Sequence, residues 1–151
     1  MTEVAFHTSV PDKLAYTCRL LRKACRQGLR TAVVGDADAL ARLDQALWVF
    51  EQEEFVPHLR LRVGEQVNAR NRRTPIWLLD DEQADVDAVV LVNLGPRVPS
   101  QTERYRRVVE VVALDADDAR GGRERWRAYV ARGLAPVNRP YGAGPEASAS
   151  G

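Results

Sequence analysis

Lysine is almost missing from this chain: Lys13 and Lys23 stand against twenty arginines. Arginine suits bidentate contacts to carboxylates, but its spread along the whole chain gives a GC-rich coding bias most of the weight. A charge surplus of one sign is missing too. Twenty-two basic and twenty-one acidic residues leave a net charge of +1, so no global field would hold the protein on DNA or an anionic membrane, and charge-driven recognition must be local. No apolar run approaches the ~20 residues of a membrane span, and the start Met1-Thr2-Glu3-Val4-Ala5-Phe6 lacks the basic and apolar segments of a secretion signal, so a soluble, cytoplasmic protein with no membrane contact is expected. Cysteine occurs only at Cys18 and Cys25. Seven residues apart on one expected helix, they stand about 10 Å apart along its axis, beyond disulfide reach, and read as reduced thiols on one buried face.

Catalytic and ligand-binding signatures are equally sparse. A dinucleotide site needs a glycine-rich turn after the first strand, and here that turn is His7-Thr8-Ser9-Val10-Pro11. No phosphate loop of the G-x-x-x-x-G-K-[ST] kind occurs, so no cofactor is expected. The two histidines, His7 and His58, form no close zinc motif with the cysteines. The acidic run from Asp80 to Asp87 lacks the glycine and terminal glutamate of a calcium loop, so no metal is expected either. Before the C-terminal tail only Ser9 and Ser100 are serines, and neither sits in a nucleophile elbow, which argues against a hydrolase.

What the chain does have is an alternation of strand and helix patterns, in a length suited to one domain. Residues 3 to 7 read as a first strand. Pro11 to Gln27 follows as an amphipathic helix with Leu14, Cys18, Leu21 and Cys25 at three- and four-residue steps, stopped by Gly28. Thr31-Ala32-Val33-Val34 is a short strand, and Gly35-Asp36-Ala37-Asp38 offers an N-cap for a helix carrying Leu40, Leu43 and Leu47. Residues 55 to 74 read as a loop with a short exposed strand or hairpin. The apolar runs 75 to 79 and 88 to 92 have the continuous character of central strands covered on both faces. Val108 to Ala113 gives the last strand, and Asp115-Ala116-Asp117-Asp118 caps a final helix reaching about Arg132, its first turns weakened by Gly121-Gly122 so that the continuous part starts near Arg123. The expected fold is a single three-layer Rossmann-like α/β domain over 1–135, with a mostly parallel or mixed sheet and no phosphate-binding loop, followed by a flexible tail over 136–151.

Aromatic and cationic residues carry the remaining signal. On the last helix Arg123, Trp126, Arg127 and Val130 fall at three- and four-residue steps, so cations flank an indole on one face. Such a face could grip a carboxylate with guanidinium forks while the ring and methyls hold an apolar side chain. Pattern alone favours the other reading, in which Trp126 and Tyr129 pack on the sheet while late-helix arginines complement the helix dipole. Trp48 and Phe55 have the same two readings.

The segments Leu43-Asp44-Gln45-Ala46-Leu47-Trp48, Phe55-Val56-Pro57-His58, Val92-Asn93-Leu94 and Arg123-Glu124-Arg125-Trp126-Arg127-Ala128-Tyr129, in this order and spacing, resemble the chi subunit family of bacterial DNA polymerase III holoenzyme. The likeness runs from the first strand to about Gly133. It implies a compact α/β domain, similar to nucleotide-binding domains and without catalytic activity, that serves as an accessory of the clamp loader. It also implies two partners: the psi subunit, which ties chi to the clamp-loader ATPase, and the C-terminal tail of single-stranded DNA-binding protein. That tail ends in acidic residues, a proline and a terminal phenylalanine. By motif position, Arg123 and Arg127 would meet its carboxylates and Trp126 would wall the pocket. Trp48 and Phe55 would add apolar surface beside Pro57 and His58. Trp126 and Arg127 stand where familiar members carry tyrosine and lysine, which keeps ring and charge. Direct DNA binding, through Arg60, Arg62, Arg70, Arg72 and Arg73, is not expected. The alternative from another class is a small nucleotide-dependent enzyme on a Rossmann-like scaffold.

Overall fold

Four-residue apolar runs set the core of the sheet. In the computed structural model, which describes residues 2–49 and 55–142, the chain forms β1 (Glu3–Val10), α1 (Lys13–Arg26), β2 (Thr31–Val34), α2 (Ala37–Val49) and β3 (His58–Leu61). It continues through β4 (Ile76–Leu79), β5 (Val90–Asn93), β6 (Arg107–Ala113), α3 (Ala116–Ala131) and β7 (Val137–Pro140). All seven strands pair in parallel in the order β3-β4-β2-β5-β6-β1-β7. Every residue of β2, β4 and β5 is buried, as both-face coverage of a parallel sheet requires. Leu40, Leu43 and Leu47 of α2 join Cys18 and Leu21 of α1 over one face. Tyr129 and Trp126 of α3 pack with Val4, Phe6, Val108 and Val112 over the other.

Caps fix where each helix begins. Asp12 Oδ1 accepts the Ala15 amide at 3.0 Å, Asp36 Oδ1 the Ala39 amide at 2.8 Å, and Asp115 Oδ2 the Asp118 amide at 3.1 Å, each satisfying an orphan donor of a first turn. Gly28, at φ 71°, carries the chain out of α1 in the left-handed conformation that glycine adopts without strain. Cys18 is buried and Cys25 half-buried, and both are free thiols. Burial pushes the Cys18 thiol up to about 11, which keeps it protonated and inert.

Four features depart from the sequence reading. Residues 58–61 form the short strand of the two expected alternatives, at the sheet edge and parallel, but with His58 and Leu61 buried rather than exposed. Instead of helices, irregular segments cover this half of the α3 face, with Val67, Ala84, Val86 and Ala88 packed against the core there. Val108 to Ala113 is not the last strand. Val137–Pro140 forms β7 beside β1, so the ordered domain runs past residue 135; residues 143–151 of the expected tail lie outside the described residues. Finally, α3 runs unbroken through Gly121-Gly122. Gly122 is there for closeness: a Cβ on it would stand 3.0 Å from both methyl carbons of Val112, so the missing side chain lets α3 lie down on β6.

Gly122→Ala therefore sets packing against propensity. Alanine gains about 1 kcal/mol as a helix former, but overpacking costs roughly 1–3 kcal/mol. The variant is expected to unfold at lower urea concentration; a raised midpoint would contradict the close approach.

Candidate functional site

A buried carboxylate holds α3 in place. Glu110 of β6 is fully buried, as are Arg125 and Tyr129 above it and Asn93 beside it. Arg125 Nε donates to Glu110 Oε1 at 2.7 Å, the Tyr129 hydroxyl to Oε2 at 2.7 Å, and Asn93 Nδ2 to both oxygens at 3.1 and 3.0 Å. Burial pushes the Glu110 carboxyl up, while Arg125 and the hydrogen bonds oppose that. Arg125 Nη1 also donates to the Pro96 carbonyl at 3.3 Å, leaving Nη2 without a partner. Asn93 Oδ1 accepts the Gly95 amide at 2.9 Å and its Nδ2 donates to the Arg97 carbonyl at 2.9 Å, tying the turn after β5 into the same network. With Arg125 turned inward, Arg123 and Arg127 are exposed.

Those two arginines and Trp126 line a cavity of about 500 Å³ between α3 and the ends of β1, β6 and β7. Phe6, Val112, Leu114 and Gly122 supply apolar wall, and Thr8, Ser9 and Asn138 supply polar groups. Trp126 leans on Phe6 with ring centroids 5.1 Å apart. Among the described residues neither Arg123 nor Arg127 has an ion-pair partner, so both guanidinium groups are available to an incoming anion. Ser9, at φ 56°, lies where the β1–β6 register slips between His7 and Val10. Such a bulge bends a strand end beside a site. The Thr8 hydroxyl donates to Asn138 Oδ1 at 2.6 Å, joining β1 to β7 across the cavity rim. The aromatic-and-cation pattern on α3 pointed to this cavity from sequence. The β1, β6 and β7 residues that complete it were not identified, because the bulge and the seventh strand carry no sequence signal of comparable strength. Val130 is exposed and does not line the cavity.

Trp48, Phe55, Pro57 and His58 are not part of it. They gather at the β3 edge, on the face covered by α1 and α2, whereas the cavity opens on the α3 face at the β7 edge. A single cleft shared by all eight residues does not form. Trp48 and Phe55 are 62% and 51% exposed, with ring centroids 5.2 Å apart, and both rings contact His58, at 5.1 and 5.9 Å. His58 is buried and held by geometry: Nδ1 donates to the Val56 carbonyl at 2.7 Å. Its Nε2 lies 3.1 Å from Asp44 Oδ1 without hydrogen-bond alignment. The result is a prefixed, exposed aromatic pair.

A further cavity, of about 700 Å³, lies at the carboxyl ends of β2, β4 and β5, where open parallel sheets commonly bind ligands. Asp36, Asp80, Asp81 and Glu82 line it, alongside Arg97 and Arg132. Asp36 caps α2, Asp80 pairs with Arg60 Nε at 2.7 Å, and Glu82 accepts the Ser100 hydroxyl at 2.9 Å. The carboxylates are thus spent on structure and would repel a phosphate. His7 is likewise structural. It is buried beside Tyr16, and burial, reinforced by Arg139, Lys23 and Arg107, lowers its pKa to about 4, so the ring is neutral near pH 7.

The family model described as "DNA polymerase III chi subunit, HolC" matches residues 1–137. The DNA polymerase III subunit chi of Pseudomonas aeruginosa is 28% identical over 139 residues, covering 88% of this chain and 92% of that protein. Among solved structures, the C-terminal domain of S. cerevisiae Dbp5, in a complex with Gle1 and IP6, superposes with a TM-score of 0.56 over 93% of this chain and 90% of that one. At 10% identity that likeness concerns the α/β fold alone.

Removing Arg125 would strand the Glu110 charge. Arg125→Met is expected to lower unfolding free energy by about 3–5 kcal/mol, measured by urea titration. A loss under about 1 kcal/mol would mean that the buried pair does not hold the helix.

Proposed function

We propose that this chain, which belongs to the DNA polymerase III chi subunit family of noncatalytic accessory subunits, is a two-sided adaptor of the cytoplasmic replication machinery. One side takes the acidic C-terminal tail of single-stranded DNA-binding protein. The other takes the psi subunit, and through it the clamp loader. The observation that carries this reading is the α3 cavity, an apolar, aromatic-walled space bordered by two arginines with no ion-pair partner among the described residues.

A tail ending in phenylalanine and preceded by acids makes three demands, and the cavity suits each. Phe6, Val112, Leu114 and Trp126 offer a wall for the ring, and the cavity is within the size of ordinary ligand sites. The Arg127 and Arg123 guanidinium groups take the terminal and side-chain carboxylates, as forked donors do. An adaptor also needs a second surface that leaves the first free, and the exposed Trp48–Phe55 pair with Pro57 and His58 supplies it at the other edge of the sheet. Paired aromatics of this kind are frequent anchors at protein interfaces.

Charge reversal tests the assignment. Arg127→Glu is expected to weaken binding of the tail peptide at least about tenfold, equivalent to 1.4 kcal/mol, without altering thermal unfolding. Binding by the unaltered protein should decline as salt screens the ion pairs. Titration of a fluorescent peptide reads both; unchanged affinity in Arg127→Glu would remove the tail from this cavity.

A further inference from the structure

A strand bulge forms part of the wall of the α3 cavity. Phe6 packs on the α3 face of the sheet, and Val10, four residues along the same strand, packs on the α1 face. Strict alternation would put both on one face. The reversal happens where the β1–β6 register slips: His7 stands opposite Val111 and Val10 opposite Ala113, so Thr8 and Ser9 share Val112 between them. Ser9 absorbs the extra residue at φ 56°, and among the other described non-glycine residues only Gln101 has a positive φ. Glycine would hold that conformation without strain. Retaining a side chain at a strained position beside a cavity is a mark of function.

What that side chain offers is a hydrogen-bond donor. Thr8, Ser9 and Asn138 are the polar side chains that the strands bring to the cavity, which Arg123 and Arg127 border from α3. The Thr8 hydroxyl donates to Asn138 Oδ1 at 2.6 Å, which fixes the carboxamide and leaves its Nδ2 group to donate elsewhere. Among the described residues neither Asn138 Nδ2 nor the Ser9 hydroxyl has a hydrogen-bond partner. The Tyr141 amide donates to the Thr8 carbonyl at 2.8 Å and holds the end of β7 against the bulge. This neutral pole is set before anything binds, so little freedom is lost when it is used. Phe6 and Thr8 lie about 7 Å apart along one face of β1. A ring seated against Phe6 and Trp126 therefore brings the peptide bond that precedes it within reach of the Ser9 and Asn138 donors.

We propose that Ser9 and Asn138 are specificity-determining contacts of the α3 cavity, donating to the main-chain carbonyl that precedes the terminal ring of the bound peptide while Arg123 and Arg127 take its carboxylates. This rests on the reading of that cavity as the tail-binding side. The two poles do different work. Guanidinium groups attract any acidic segment, and salt screens them. Neutral donors act only at contact, and salt leaves them nearly untouched. Placed beside the apolar wall, they fix the direction in which the peptide runs and tie recognition to the residue that carries the ring.

The test titrates a fluorescent tail peptide, and the same peptide with an ester in place of its last amide, onto the full chain across a salt series. Ser9→Gly, Asn138→Ala and the double variant are measured in parallel. An ester carbonyl is a weaker acceptor than an amide carbonyl. The double variant is expected to bind the amide peptide roughly fivefold to tenfold more weakly, as the loss of two neutral hydrogen bonds implies, with an unchanged salt dependence. Ser9→Gly should show no fall in thermal midpoint, because glycine fits the bulge. The ester should weaken binding to the unaltered chain yet change binding to the double variant by less than about twofold, the non-additivity of a shared contact. If the double variant binds normally while Arg127→Glu binds weakly, the neutral pole is overturned and the tail-binding reading stands. If neither change weakens binding, both fall. An ester effect of equal size in both proteins, or a lowered midpoint in Ser9→Gly, would make the bulge structural and overturn the proposal.

Discussion

The contact between Arg125 and Glu110 beneath α3 governs the geometry of everything above it. A carboxylate in the core of a parallel sheet is costly to desolvate unless several donors surround it. Here Arg125, Tyr129 and Asn93 all reach it. Two of those donors come from one helix, so meeting the needs of the carboxylate also sets the rotation of α3 about its axis. Gly122 lets the same helix approach β6, and Trp126 settles on Phe6. In the run Arg123-Glu124-Arg125-Trp126-Arg127, the middle arginine is structural, and the outer two remain free for a ligand.

The sheet separates the two candidate surfaces. The cavity under α3 opens toward β7, while the aromatic pair belongs to the β3 edge and the α2 side. Opposite placement suits the adaptor role proposed for this noncatalytic member of the chi family. The carboxyl ends of the central strands, where open parallel sheets commonly bind ligands, are lined by acids that include Asp36 in a helix cap and Asp80 in an ion pair. Several acids around the cavity there are held in internal bonds, and both proposed surfaces lie instead at the edges of the sheet.

Much of this was legible in the residues. Continuous apolar runs at 75–79 and 88–92 predicted central strands because parallel strands are covered on both faces, and three- and four-residue steps marked the helices. The cations around Trp126 singled out α3, where Arg123 and Arg127 border a cavity. Other features lacked a local signal. Val137–Pro140 is short, contains a proline and has no alternating pattern, so only its pairing with β1 makes it a strand. Gly121-Gly122 resembles a helix break by propensity, and tertiary contact with Val112 decides otherwise. Grouping Trp48 with Trp126 failed because sequence order does not reveal which edge or face of a sheet a side chain reaches. Arg125 was given no role from the sequence, since nothing local to it shows that Glu110 lies below.

Independence of the two surfaces is the central claim, and simultaneous binding tests it most directly. The affinity of a labelled tail peptide should be measured for the chain alone and for its complex with psi. Separate surfaces predict affinities that agree within about twofold, a coupling free energy near zero, and a complex containing all three components. Displacement of the peptide by psi, or of psi by the peptide, would contradict the account.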